Sequence, residues 1–340
     1  MTNGITEEAE SGDSVASPPH STEAARSTSD GPPVPPQSPL FRALNSARYN
    51  RQDMIREIEG YTGRPLICML FGREAPLDRG HFPAVVDLVH GIPLNAHFDV
   101  LLHSLGGDLD AAAKIAFLLR RTAGDRGSIR VIVPDSAKSA GTLIALAGDR
   151  ICMSDTSELG PIDPLIAVQH ADGSRTYRPA QACLDAYNTT VKEASAAARL
   201  DADAVEGVSL TPPAASAADR VPTWVWETLL NQHDPAVVEM SRKALRRSRK
   251  YAEDILRDGM FRDGGQWTKV ASDLSDNSRW LTHGAVIDAR VAATEVGLVV
   301  DHFARADALW QAFWRLYCVQ RIELASDTAL FESNFASLKW

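Results

Sequence analysis

Cysteine is scarce in this sequence: Cys68, Cys152, Cys183 and Cys318 stand far apart and form no CxxC pair. That spacing offers no Cys-x-x-Cys metal or redox motif. Most of these residues sit in apolar runs, where cysteine behaves as a small hydrophobe, so a reducing cytoplasm is expected. Long apolar stretches are missing too. Runs such as Leu143 to Ala147 fall far short of the roughly 20 residues that a bilayer demands, so no membrane span is expected. The first residues are acidic and polar, without the basic start and apolar stretch of a secretory signal. Positive charge is in deficit, with 35 Lys plus Arg against 44 Asp plus Glu and a net charge of −9. Such a balance does not suit neutralising a nucleic-acid backbone or an anionic lipid surface, so soluble partners and no nucleic acid are expected. Neither an internal repeat nor a dinucleotide fingerprint of spaced glycines occurs, and no cofactor or metal is expected.

What is present is enough apolar content, 44% of 340 residues, for a substantial core. Residues 1–39 are rich in Ser, Thr, Glu, Pro and Gly, including Pro32-Pro33-Val34-Pro35-Pro36, and read as a disordered tail. A helical pattern runs from Leu40 to about Gly60. Strand and helix patterns then alternate: Pro65 to Phe71, Phe82 to His90, Phe98 to His103, Asp108 to Arg121, Ile129 to Val133, Ser139 to Ala147 and Arg150 to Met153. Short Gly- or Pro-containing turns join them, which predicts an α/β fold with a largely parallel sheet. Beyond Pro164 the pattern turns helical, from Pro179 to Leu200 and from Trp224 to about Met260, with a loop at Thr211 to Asp219. This is a helical insertion of about residues 180–260 within a domain of residues 40–304. The basic residues around Arg246 and Arg247 read as a solvated helix face. Gly284 to Val300 is expected to form a helix ending at Gly297, and residues 305–340 an aromatic helix and a hairpin.

Three turns could carry chemistry. At His103-Ser104-Leu105-Gly106-Gly107-Asp108 a strand ends in paired glycines and a helix begins, which points backbone N–H groups outward as in an oxyanion hole; Asp108 as a helix cap is the plainer account. One βα unit later, Ser139-Ala140-Gly141 opens a helix, so Ser139 reads either as a cap or as a hydroxyl poised beside the glycine turn. Adjacent parallel strands bring their carboxyl ends together, where ligands bind in open α/β sheets. The third segment, Ser157-Glu158-Leu159-Gly160-Pro161-Ile162-Asp163-Pro164, is fixed by Gly and Pro. Its acids Glu158 and Asp163 are turn residues or groove residues.

At these three turns, and in Trp280 to Gly284 and Ala292 to Val300, the sequence resembles the serine dehydrogenase proteinase family, a branch of the Clp-fold peptidases related to signal peptide peptidase A. The resemblance covers roughly residues 45–300. It implies a Clp/crotonase-like fold of repeated β-β-α units with helical additions at both ends. It implies Ser139 as nucleophile, with the Ala140 N–H as one oxyanion donor and Gly106 or Gly107 as the other. His-Ser-Leu-Gly-Gly stands here where the family has His-Thr-Pro-Gly-Gly, and Ile162-Asp163-Pro164 stands where Clp proteases carry a histidine. The base is therefore open among Lys192, 53 residues past Ser139 as in signal peptide peptidases, His283, which would approach from the later segment, and Lys138, expected to point elsewhere. His103 is expected to order the substrate groove, and Asp163 to orient a base or contact substrate. The expectation is a cytoplasmic, homo-oligomeric serine peptidase that uses no ATP of its own and acts on peptides or unfolded protein. A catalytically weak peptide-binding scaffold and a crotonase-type acyl-thioester enzyme are the alternatives.

Overall fold

The computed structural model describes residues 38–169, 172–205 and 222–340. Most of the expected tail and the Thr211–Asp219 loop lie outside them. The chain divides into Met1–Leu44, whose described part is the short helix α1 (Pro39–Leu44), and Asn45–Trp340, which holds everything that follows.

In this larger unit, α2 (Ser46–Thr62) ends at Gly63, whose φ of 65° suits a residue without a side chain. The α/β alternation then runs through β1 (Leu66–Phe71), α3 (Phe82–His90), β2 (Phe98–His103), α4 (Leu109–Ala123), β3 (Ile129–Ile132), the two-residue β4 (Ser136–Ala137), α5 (Ala140–Ala145) and β5 (Arg150–Met153). Next come β6 (Glu158–Leu159), the hairpin of β7 (Leu165–Gln169) and β8 (Arg175–Pro179), and the helices α6 (Ala180–Val205), α7 (Thr223–Asn231) and α8 (Pro235–Asp258). The chain returns through α9 (Trp267–Ser275), α10 (Asn277–Trp280) and α11 (Ala289–Val291) to β9 (Val300–His302), then closes with α12 (Ala308–Glu323), β10 (Ala329–Glu332) and β11 (Ser337–Lys339).

Among the described residues the central sheet has the order β11-β10-β1-β2-β3-β5-β9. The run from β1 to β9 is parallel, and the C-terminal hairpin adds to β1 antiparallel. β1 and β2 are buried along their whole length, which is why they read as unbroken apolar runs rather than alternations. Successive side chains still point to opposite faces. Phe98, Val100 and Leu102 pack with residues of α3, α4 and α5, whereas Leu101 packs with Ile55, Ile58, Trp310, Phe313 and Tyr317 from α2 and α12. That second face also holds a buried ion pair, in which Arg51 donates to both oxygens of Glu332, at 0% exposure, over 2.8–3.0 Å. Gln320 and Ser337 donate to the same carboxylate, so α2, α12 and the hairpin share one polar knot.

The helical pattern from Leu40 to Gly60 is interrupted at Asn45, and three further segments differ from the sequence reading. The helical run from Trp224 breaks between α7 and α8 because Asp234 caps the new helix through the Ala236 N–H at 2.7 Å and Pro235 follows. Gly284 to Val300 is helical only from Ala289, where Asp288 accepts from the Val291 N–H, and a wide turn over Ala292–Val296 ends at Gly297 with φ 88°. Leu165 to Pro179, left without a strand assignment, forms the β7–β8 hairpin.

Candidate active site

The parallel neighbours β2 and β3 bring two turns side by side. Past the strand ends the pairing continues: Ser104 donates its N–H to the Ser136 carbonyl, and Lys138 donates its N–H to the Ser104 carbonyl, both at 2.9 Å. Gly106 and Gly107 have φ of 113° and 146°, which side-chain-bearing residues avoid. At Gly107 a Cβ would also fall 2.2 Å from the Leu77 carbonyl oxygen. Leu77 pairs with this turn, donating to the Gly106 carbonyl at 3.0 Å and accepting from the Asp108 N–H at 2.7 Å. The Gly106 N–H is engaged by Ser104 Oγ at 3.1 Å. The N–H groups of Gly107 and Ala140, by contrast, have no acceptor among the described residues.

Ser139 lies opposite, close enough that a Cβ on Gly106 would meet its Cβ at 3.0 Å. Its φ of 52° and ψ of −114° are sparsely populated for a non-glycine residue, a strain of about 1–3 kcal/mol that the surroundings must hold in place. They do so on both sides. Gly141 donates to the Lys138 carbonyl at 2.7 Å and Leu143 to the Ser139 carbonyl at 3.1 Å, while Thr142 Oγ1 donates to the Ala137 carbonyl at 2.6 Å. Ser139 therefore opens α5 without capping it, since its side chain makes no cap hydrogen bond.

A cavity of about 650 Å³ opens over this turn, lined by Leu77, Gly107 and Ser139, by Leu165, Tyr177 and Arg247, and by His283. Behind His283 stands Asp163, wholly buried, whose Oδ1 lies 2.8 Å from Nδ1 of the imidazole. A carboxylate accepts only, so in the neutral ring it selects the tautomer with the proton on Nδ1 and the lone pair on Nε2. Nε2 has no partner among the described residues, and Asp163 Oδ2 is unbonded as well. Ile162, just before Asp163, is tied down by its N–H to Leu274 and by Ser248 Oγ, which donates to its carbonyl at 2.6 Å.

The remaining candidates lie elsewhere. His103 follows Leu101 in strand parity, so it faces α12 and not the cavity. It is buried, with Nδ1 3.3 Å from the Tyr317 hydroxyl and 3.6 Å from Asp135 Oδ2. Burial pulls its imidazole pKa down to about 4 against the opposing pull of Asp135. Lys192 is exposed on α6 and is not among the cavity's lining residues. Lys138 turns away from the cavity into a polar clamp with Glu158, Leu159 and Ala285.

Several lining residues escaped the sequence reading. Leu77 carries no local signal at all. Arg247, read as part of a solvated face, lines the cavity and pairs with Asp110 at 3.4 Å. Leu165 and Tyr177 come with the hairpin, whose Asp172-Gly173 turn was a legible sign, since Gly173 sits at φ 84°.

Two uncharacterized proteins of Methanocaldococcus jannaschii are similar to the chain, one 40% identical over 80 residues and the other 32% identical over 143 residues. These stretches are 24% and 39% of this chain, and they span 27% and 45% of the two relatives. Among solved structures, a membrane-bound stomatin-specific protease, a mutant in complex with a substrate peptide, aligns over 81% of this chain and 92% of its own, with 12% identity and a TM-score of 0.28. The resemblance read from the three turns is matched at family level, for residues 81–189, which contain the glycine turn, Ser139 and Asp163, match the ClpP-like SDH-type serine proteinase family.

Proposed function

We propose that this protein is a serine peptidase in which Ser139 is the nucleophile, His283 the general base oriented by Asp163, and the Gly107 and Ala140 N–H groups the oxyanion donors. The observation that carries this reading is the meeting, at one cavity, of a strained serine, the Gly107 N–H without an acceptor and an imidazole whose far nitrogen is held by a buried carboxylate, with the acceptor-free Ala140 N–H next to the serine in the chain.

In the proposed reaction Ser139 Oγ attacks the carbonyl carbon of a peptide bond and passes its proton to His283 Nε2. The carbonyl oxygen becomes an oxyanion held by the two N–H groups. Asp163 stabilises the imidazolium formed in that step. His283 then protonates the leaving amine, the C–N bond breaks, and water enters by the same route in reverse to release the acyl group. No direct hydrogen bond joins Ser139 to His283. Such contacts are commonly long before substrate binds and tighten in the complex. Lys192 is not assigned a part, because it is exposed and outside the cavity lining.

The test is covalent labelling by a fluorophosphonate, with the adduct mapped by mass spectrometry. Labelling at Ser139 that disappears in Ser139→Ala supports the peptidase. A folded protein that takes no label overturns it in favour of a peptide-binding scaffold, and tight binding of an acyl-CoA would redirect the reading to thioester chemistry.

A further inference from the structure

Lys138, next to the nucleophile, uses all of its donor capacity away from the cavity. Its Nζ lies 3.2 Å from the Leu159 carbonyl, 3.0 Å from the Ala285 carbonyl and 2.9 Å from Glu158 Oε2, and the side chain is 13% exposed. An ammonium has three N–H donors, and here there are three acceptors. Two carbonyl oxygens and a carboxylate around one nitrogen thus engage every donor of the ammonium and hold it outside the cavity. The stem is packed as closely as the head is bonded, since a Cβ on Gly160 would meet Lys138 Cδ at 2.7 Å. Glu158 is itself held by Ser136 Oγ at 2.9 Å.

The places these bonds connect give the clamp its meaning. Lys138 precedes Ser139, and Ala285 follows His283 by two residues. The other bonds of the His283 segment among the described residues are local: Leu281 N–H to the Asn277 carbonyl and Thr282 N–H to the Trp280 carbonyl, both at 2.7 Å, Ala285 N–H to the Thr282 carbonyl at 3.2 Å and Gly284 N–H to Thr282 Oγ1 at 3.4 Å, while Leu281 stands at φ 61° with 84% exposure. The firm connections of this stretch to the rest of the site are the His283–Asp163 bond, the Ala285–Lys138 bond and the pairing of Ile287 with Leu159. One cation thus bonds the backbone that carries the base to the residue adjoining the nucleophile.

We infer that Lys138 is a positioning residue that holds the His283 segment in register with Ser139 through the Ala285 carbonyl, and that it takes no part in proton transfer. The inference rests on the roles proposed above for Ser139 and His283. A misplacement of about 1 Å at such a site costs on the order of 10²-fold in rate.

The experiment compares wild type with Lys138→Met and Glu158→Gln by two readouts. In Lys138→Met, kcat for a peptide substrate should fall on the order of 10²-fold with KM little changed, and by the same factor at every pH, because the titrating base is still His283. Hydrogen exchange of the amides of residues 282–287 should speed up by about tenfold or more while the core strands keep their protection. Glu158→Gln, which spares both carbonyl bonds, should shift the same amides less and serves if the methionine variant does not fold. Unchanged exchange over residues 282–287 in both variants would overturn the inference, as would complete loss of Ser139 labelling together with loss of the pH-dependent limb, the behaviour of a lysine base. If wild-type Ser139 takes no label, the peptidase reading falls, and the exchange measurement still decides the clamp.

Discussion

Among the histidine–aspartate pairs near the carboxyl ends of the parallel strands, two have reversed exposures. In His283–Asp163 the acid is 0% exposed and the imidazole 25%, whereas in His103–Asp135 the imidazole is 4% exposed and the acid 43%. The first arrangement turns a nitrogen toward a cavity and fixes the other with a dry carboxylate. The second shuts the imidazole in and leaves the acid with water. A group that must take up a proton during turnover needs the first arrangement, because desolvation resists charging the ring in the second. On the proposed reading the two pairs separate proton transfer from packing, although both are a histidine within reach of an aspartate.

Single substitutions break this comparison most sharply at the imidazoles. His283→Ala is expected to lower the rate of Ser139 acylation by about 10⁴-fold, read as single-turnover kinetics with an activated ester. His103→Asn should leave the acylation rate of the folded protein close to wild type. Equal losses in the two variants would erase the distinction. Asp163→Asn comes next, at about 10³-fold, since an amide can offer its N–H to Nδ1 and stabilise the wrong tautomer. Asp135→Asn, at the exposed acid, should have no comparable effect on rate.

What was legible in the sequence follows from how local each feature is. Ser139 and the glycine turn lie on consecutive βα units, and parallel pairing of adjacent strands brings them together, so chain order was enough. Asp163 and His283 are 120 residues apart and meet only through the returning segment after α9. Each could be suspected singly, but no spacing connects them. Lys192 drew attention through its distance along the chain from Ser139, a measure that says nothing about which way α6 faces. The position of His103 was recoverable, because alternation along β2 sends it to the face of Leu101. Its nearness to the glycines suggested the groove, and nearness along a strand does not decide the face. The break before α8 and the β7–β8 hairpin both carried turn residues, Asp234-Pro235 and Asp172-Gly173, that helical periodicity overshadowed.

The comparison also predicts where pH acts on stability instead of rate. His103 titrates near 4 in the folded protein against 6.5 for an ordinary imidazole. Above pH 6.5 neither state holds the proton, so nothing is lost. As pH falls from 6.5 toward 4 the unfolded chain binds a proton that the folded chain refuses, and stability declines by about 3 kcal/mol. Urea unfolding at pH 7 and pH 4.5 should show this decline in wild type and a smaller one in His103→Asn. Equal declines would remove His103 from the cause.

The smallest expected effect concerns the bond that links this second pair to the C-terminal helix. Tyr317 donates its hydroxyl proton to Asp135 Oδ2 at 2.6 Å, and burial pushes the phenol pKa upward, so the donor is kept protonated. Asp135 in turn accepts the Glu158 N–H through its main-chain carbonyl at 2.7 Å, next to the strand that Lys138 grips. Tyr317→Phe removes this bond to a half-exposed acid together with the 3.3 Å contact between the hydroxyl and the buried His103 Nδ1, and a loss of about 2 kcal/mol in chemical unfolding is expected. If α12 only covers its face of the sheet, that loss comes without a change in Ser139 labelling. A parallel fall in labelling by the folded variant would mean that the two histidine–aspartate regions are mechanically joined through Asp135 and Glu158, and the division between proton transfer and packing would have to be redrawn at that contact.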